Sequence, residues 1–372
     1  TEDNMAVYTT IDDPSEYFQT AVFTGDGSTV VTVTNDGNSD LQPDLLWFKK
    51  RDSAVAHVLI DTNRGANVTS GFGPTGYNIV SNPNSNVAEI ADGAGVMTIT
   101  SDGFTSKELT SAAGNVSTAS MCCWQWHCDA GDRITFTESG NNPGGVRQTN
   151  ATAGLSIIVY TGTGADASCE LAHGLGKAPE FIIFKRGNGT NAWVVYHKSV
   201  GIDKKLVLND TAAEDADGAF MNGTIPNATN IFVGGTSTNT NADGGGYNCY
   251  AWTSVQGYSK FGKYVGNGNE DGPFVYTGFK PAFLMMKESS SAGGNWVIFD
   301  NKRDVDNVLI HRLHPNTTAG DNTSRNYIDF YSNGFKMRNT DADHNQTGET
   351  MVYMAIAESS FVTSTGTPTT AR

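Results

Sequence analysis

The chain has 372 residues, only 17% of them charged, with 42 glycines and a net charge of −15. That balance argues against nucleic acid as a partner, because phosphate backbones are bound by clustered Lys and Arg. No apolar run approaches the roughly 18 residues of a membrane span, so no membrane insertion is expected, and Thr1-Glu-Asp-Asn4 lacks the basic and apolar stretches of a signal peptide.

Residues 1–16 read as a leading arm. Beyond them, three blocks recur in one order. The first copy is Ala21-Val-Phe-Thr-Gly-Asp-Gly27, Pro43-Asp-Leu-Leu-Trp-Phe-Lys49 and His57-Val-Leu-Ile-Asp61. The second is Ile158-Val-Tyr-Thr-Gly-Thr-Gly164, Pro179-Glu-Phe-Ile-Ile-Phe-Lys185 and Trp193-Val-Val-Tyr-His197. The third is Lys263-Tyr-Val-Gly-Asn-Gly268, Pro281-Ala-Phe-Leu-Met-Met-Lys287 and Trp296-Val-Ile-Phe-Asp300. Each copy closes on another strand candidate: Met121 to Trp126, Tyr247 to Trp252 and Met351 to Ala357.

Short apolar and β-branched runs between Gly- and Asn-rich turns predict strands. Asp102-Gly-Phe104 and Asn333-Gly-Phe335 predict hairpins. No segment has a helical period, so the class is all-β. The repeat prolines lie 136 and 102 residues apart. Solenoid and propeller repeats run at roughly 20–50 residues, whereas a sandwich domain of about 100 residues closes its own core. The expectation is therefore an arm at 1–16 and three related β-sandwich, jelly-roll-like units at 17–153, 154–256 and 257–372. The extra length of the first unit is assigned to surface loops at about 129–154, and the tail from Thr363 is expected to be partly ordered. The units are expected in tandem as packed neighbours, since the second runs without a linker into the third; closure around a pseudo-threefold axis is the alternative.

The chemistry-bearing motifs favour structural roles. Gly71-Phe-Gly-Pro-Thr-Gly76 spells a dinucleotide fingerprint, but Pro74 interrupts it and no helix follows, so it reads as a turn. No G-x-S-x-G elbow is present. His173 sits in a loop, and His197 takes the place held by Asp61 and Asp300 in the other units, which suits a strand-end contact better than a general base. Cys122, Cys123, Cys128, Cys169 and Cys249 are an odd set with one adjacent pair. They read as buried free thiols of a protein assembled in a reducing cytoplasm, with zinc at Cys123, His127 and Cys128 a weaker reading. Glu214-Asp-Ala-Asp-Gly218 and Asp341-Ala-Asp343 offer oxygen ligands of the kind Ca2+ takes, but not at EF-hand spacing, so solvated turns are expected. Trp193, Tyr196, Trp296 and Phe299 recur in the repeat and read as core. No residue stands out as catalytic, cofactor-binding, metal-binding or receptor-binding.

The blocks resemble a family of tailed-phage structural proteins common in marine phages. The likeness rests on His173-Gly-Leu-Gly176 with Pro179, Phe181 to Arg186, Trp193 to His197, and Gly257-Tyr-Ser-Lys-Phe-Gly-Lys-Tyr-Val-Gly-Asn-Gly268. It continues through Asp271 to Pro281, Trp296 to Asp304, Ser332 to Arg338 and Tyr353 to Glu358, covering about 154–372, and is thinner before that. The resemblance implies a non-enzymatic virion protein at the virion surface, in contact with other virion proteins and forming a homo-oligomer. The expected role is a tail fibre or appendage that attaches to host-surface glycans. A capsid decoration protein or head fibre is the second reading, and a polysaccharide depolymerase the third.

Overall fold

Successive residues of the strand after the repeat proline point into two different cores in the first two units, whereas in the third Phe283, Leu284, Met285 and Met286 all join one continuous core. In the computed structural model, which describes residues 8–27, 30–64, 78–92, 97–107, 115–129, 133–234 and 237–369, Leu46 and Phe48 join Val33, Val58, Phe104 and Cys123 in a core private to the first unit. Their neighbours Leu45 and Trp47 turn to a central core shared by all three units. In the second unit Ile182 and Phe184 are private while Phe181 and Ile183 are central. Burial on both faces explains why these strands are continuously apolar rather than alternating.

The fold is all-β, and each unit builds its main sheet in the same order: opening strand, closing strand, proline strand, fourth strand. In the first unit these are Phe18–Thr24, Ser120–Trp126, Leu45–Lys50 and Val58–Asp61. In the second they are Leu155–Thr161, Gly246–Trp252, Phe181–Arg186 and Val194–His197. In the third they are Ser259–Val265, Thr350–Ser360, Phe279–Glu288 and Trp296–Asp300. Every pairing is antiparallel. A smaller sheet of two or three strands accompanies each main sheet: Val31–Val33, Phe104–Ser106 and Met97–Ile99; Ser168–Ala172 and Asn230–Gly234; Phe274–Tyr276, Gly334–Met337 and Ile328–Tyr331.

The three units close around a pseudo-threefold axis. Equivalent residues of the three main sheets, among them Leu45, Trp47, Ile183, Tyr250, Phe283 and Met285, surround a purely apolar gap of about 10 Å³, near the lower limit for a single water. Trp126 meets Trp252 at 6.4 Å and Phe283 at 5.7 Å between ring centroids.

Around this axis each unit holds the next through one short strap, at 82–89, 207–214 and 314–321. An asparagine in each strap (Asn84, Asn209, Asn316) accepts the backbone N–H of His57, Trp193 or Trp296 within its own unit at 2.8–3.1 Å. Two residues before it, a carbonyl faces the neighbouring unit. Asn82 O accepts from the Trp193 indole, Val207 O from the Trp296 indole, and His314 O from the His57 imidazole. Two residues after it, Asn86 O, Thr211 O and Thr318 O accept from the buried Lys185, Lys287 and Lys49. At the strap's end the N–H of Glu89, Glu214 and Asp321 donates to Gly187 O, Ser289 O and Arg51 O at 2.7–2.8 Å. The first strap thus serves the second unit, the second the third, and the third the first.

Two expectations are corrected. The described part of 129–154 is not simply loops of the first unit: Ile134–Phe136 and Gly144–Asn150 are strands, joined through an exposed turn at Ser139–Asn142, that extend the second unit's main sheet beyond Leu155–Thr161. Gly145 lies so close to Val159 O that a Cβ would overlap it, so glycine here serves close pairing rather than a loop. Residues 8–16 do not project as an arm but pack back: Ile11 enters the central core and the Tyr8 hydroxyl donates to Gly278 O at 2.8 Å. At Asn333-Gly334 the hairpin forms, yet Gly334 lies in its strand, where a Cβ would overlap Val275 O.

Candidate binding face on the third unit

Several buried polar groups tie neighbouring units together. Asp61 accepts the backbone N–H groups of Asn63 and Arg64, the Arg64 Nε at 2.6 Å and, from the second unit, the Tyr250 hydroxyl at 2.7 Å. Asp300 repeats this with Lys302, Arg303 and the first unit's Trp124. In the equivalent place His197 donates from Nε2 to the third unit's Tyr353 O at 3.2 Å, because the facing side chain there is Met354, which has no hydrogen to give. His173 is likewise spent, accepting from Leu175 N and donating to Asn227 O.

All five cysteines are buried and free. Cys123 lies in the first unit's private core and Cys128 in the central one, while His127 turns to Gln42 O and Asp44. The hydrogen bond to Asp44 is the main cause that raises His127 to about 9. The three side chains do not converge on a metal position. Glu214 pairs with Lys204, and Asp215 and Asp217 with Lys205. Asp341 caps a one-turn helix (Ala342–Asn345) and Asp343 holds Asn295 and Arg312. Among the described residues no group of three His, Cys, Asp or Glu is arranged to hold a metal. Gly71 to Gly76 lies outside them. Trp193, Tyr196, Trp296 and Phe299 are all buried.

The threefold likeness breaks down on the outside, at one strand of the small sheets. Register places Val33, Leu171 and Val275 at equivalent inward positions, opposite Phe104, Ile231 and Phe335. The residues on either side point outward. They are Thr32 and Thr34 in the first unit and Glu170 and Ala172 in the second, but Phe274 and Tyr276 in the third. Phe274 is 47% exposed and Tyr276 50%.

The surroundings of these two rings are fixed. Tyr331, across the sheet, meets Phe274 edge-on at 6.1 Å. Gly334 lies between them, leaving room for the Phe274 ring to lie over the strand. Lys260 donates to Tyr276 O at 2.7 Å with its ammonium 5.2 Å from the Tyr276 ring. Lys336 pairs with Asp271, and Arg338 and the Tyr331 hydroxyl share Asp329. Beyond Tyr331 opens a recess of about 200 Å³ lined by Lys280, Asn301, Asp304, Asp306 and Asn307. The arrangement offers flat apolar rings beside amide, carboxylate and ammonium groups.

A family model described as a domain of unknown function (DUF7483) matches residues 13–360, which takes in all three main sheets. The chain belongs to the DUF7483 family. No curated protein and no solved structure matches it.

The straps of this DUF7483 chain escape the sequence reading, although they carry a signal. Asn84-Ser-Asn-Val-Ala-Glu89, Asn209-Asp-Thr-Ala-Ala-Glu214 and Asn316-Thr-Thr-Ala-Gly-Asp321 share the pattern N-x-[NT]-[VA]-[AG]-[ED]. Asn115, Asn241 and Asn345 form another missed set. Each is buried, and its Oδ1 accepts from Asp26, Thr163 or Asn267 to pin the glycine turn that ends an opening strand.

Proposed function

We propose that this chain is a virion structural protein of a tailed phage, serving host attachment as part of a tail fibre or appendage, with the third unit's aromatic face as its glycan-contacting surface. The resemblance of its blocks supports the virion assignment. The observation that carries the attachment reading is the exposure of Phe274 and Tyr276 where the two sister units carry small or polar residues. Exposed rings flanked by hydrogen-bonding groups suit sugars, which have both apolar faces and hydroxyl edges. The ring behind them is a rigid mount. Binding by one face is weak, and multiple copies on a virion multiply it.

Immunogold labelling of virions with antibody to this chain, together with binding of the purified chain to host envelopes, tests the reading. Label on the tail, and envelope binding that falls about tenfold or more, roughly 1.4 kcal/mol, in Phe274→Ala and Tyr276→Ala, is the expected result. Label spread over the head instead assigns the chain to capsid decoration. Release of sugar from the envelopes assigns it to depolymerisation.

A further inference from the structure

The third unit is bonded on both sides through a histidine ring, and among the described residues no histidine ring bonds across the junction between the first two units. At the junction of the first and third units, His57 Nε2 donates to His314 O at 3.1 Å while Nδ1 accepts the Trp47 indole N–H at 2.9 Å. At the junction of the second and third, His197 Nε2 donates to Tyr353 O while Nδ1 accepts the Ser199 N–H at 3.0 Å. A second proton must go on Nδ1, where each ring already faces a donor. Protonation therefore breaks one hydrogen bond and sets two N–H groups against each other. Between the first and second units the place of His57 holds Trp193, which does not titrate, and the place of His197 holds Asp61, a carboxylate that accepts from Arg64 and Tyr250.

We propose that mild acid releases the third unit from the other two and leaves the first and second joined.

The charged groups around both rings favour this. Beside burial, Lys49 on the same sheet, and Arg303 and the His314 ring across the junction, oppose a further positive charge on His57, while the hydrogen bond to His314 O favours it. His314 gives the junction only its carbonyl; its ring lies 3.5 Å from Asp343. Lys198 acts on His197 in the same sense. Burial is the leading cause that depresses both rings, His57 well below its usual value and His197 to about 4. A histidine whose folded value lies below its unfolded one contributes stability that is full above about 6.5 and lost as pH falls toward the folded value. For His197 the window is therefore about pH 6.5 to 4, and for His57 the loss likewise begins as pH falls below about 6.5. His344, lowered to about 4 between Phe299 and Tyr327, titrates within the third unit itself, so junction release has to be told apart from unfolding of that unit.

Three equivalent backbone hydrogen bonds report on the three junctions: Glu89 N–H for first and second, Glu214 for second and third, Asp321 for third and first. Hydrogen exchange of the full chain, expressed as protection factors, is compared at about pH 7 and about pH 4.5. Expected is a loss of about tenfold or more in protection at Glu214 and Asp321, with Glu89 and the third unit's Leu284 and Met286 unchanged. Loss at Glu89 in step with the other two, loss at Leu284 together with Asp321, or no change at any of them overturns the proposal. In His57→Trp, the residue found at that place in both other units, Asp321 should keep its protection in acid. In His197→Asn, which keeps an acceptor for Ser199, Glu214 should keep its own. If both variants lose protection at the wild-type pH, the histidines are not the trigger; should His57→Trp fail to fold at neutral pH, His197→Asn decides alone.

Discussion

The indole of Trp124 donates to the carboxylate of Asp300 at 2.9 Å, though the two lie 176 residues apart. This bond ties the first unit to the third, between which no peptide linkage runs. Asp300 also holds the fully buried guanidinium of Arg303 at 2.6 Å, with Arg303 bridging on to Asp321. Removing the indole hydrogen costs one bond to a charged group, while removing the carboxylate leaves the Arg303 Nε and the Trp124 indole without acceptors and the buried guanidinium with Asp321 as its remaining carboxylate partner. Trp124→Phe is therefore expected to cost about 1.5–3 kcal/mol and Asp300→Ala about 3–5 kcal/mol, read from urea denaturation. Equal losses in the two variants would contradict the account.

The buried lysines act as plugs at the junctions. Lys185 Nζ donates to Asn86 O of the first unit and to Gly189 O and Asn191 O of its own, at 2.7–3.3 Å. Among the described residues no carboxylate bonds it, and burial lowers it to about 8. Lys185→Met fills similar space but leaves those carbonyls without their donor. A loss of about 2–4 kcal/mol is expected, from hydrogen bonds to a charged group partly offset by relief of its desolvation. Unchanged stability would mean that burying the charge cancels its bonds.

Two glycines separate crowding from backbone conformation. Gly162 ends the second opening strand, and a Cβ there would overlap Ala242 O. Gly176 has φ +71° and open space around its Cβ position. Gly176→Ala should cost about 1–2 kcal/mol from the left-handed backbone alone. Gly162→Ala should cost about 3 kcal/mol or more, because backbone must move. Thermal denaturation of the two variants orders them, and the reverse order would refute the assignment.

Thiol chemistry offers a simple check on the interior. All five cysteines are buried, and burial pushes the Cys122 thiol up to about 12 and those of Cys123, Cys128 and Cys249 well above their usual value. Thiolates do the reacting, so the native chain should resist an aromatic disulfide reagent and expose all its thiols only on unfolding. Fast reaction of any one in the native state would show a local opening at that position.

Much of the interior was legible because each unit repeats its own instructions. The proline strands announce themselves as apolar on both faces, and His197 at a place where chemistry changes between units is a strand-end contact. The straps stayed hidden for two reasons. The gap from the fourth strand to the strap asparagine differs between units, 23 residues from Asp61 to Asn84 but 12 from His197 to Asn209. Their bonds are also made largely by backbone carbonyls, which leave no side-chain signature. Ser139 to Asn142 does form a turn, but Gly144 and Gly145 misled because glycine in a strand looks the same as glycine in a loop. Phe274 and Tyr276 were visible as letters, but only strand register shows that they face outward.

A trimer of identical subunits must make every surface change three times around its axis, whether or not all three copies profit from it. Writing the three units into one polypeptide removes that constraint. The contacts around the axis stay matched because each unit needs both neighbours, while the outward residues of any one unit are free to drift alone. Phe274 and Tyr276 are such a single-copy change, which is why the molecule presents one distinctive side rather than three.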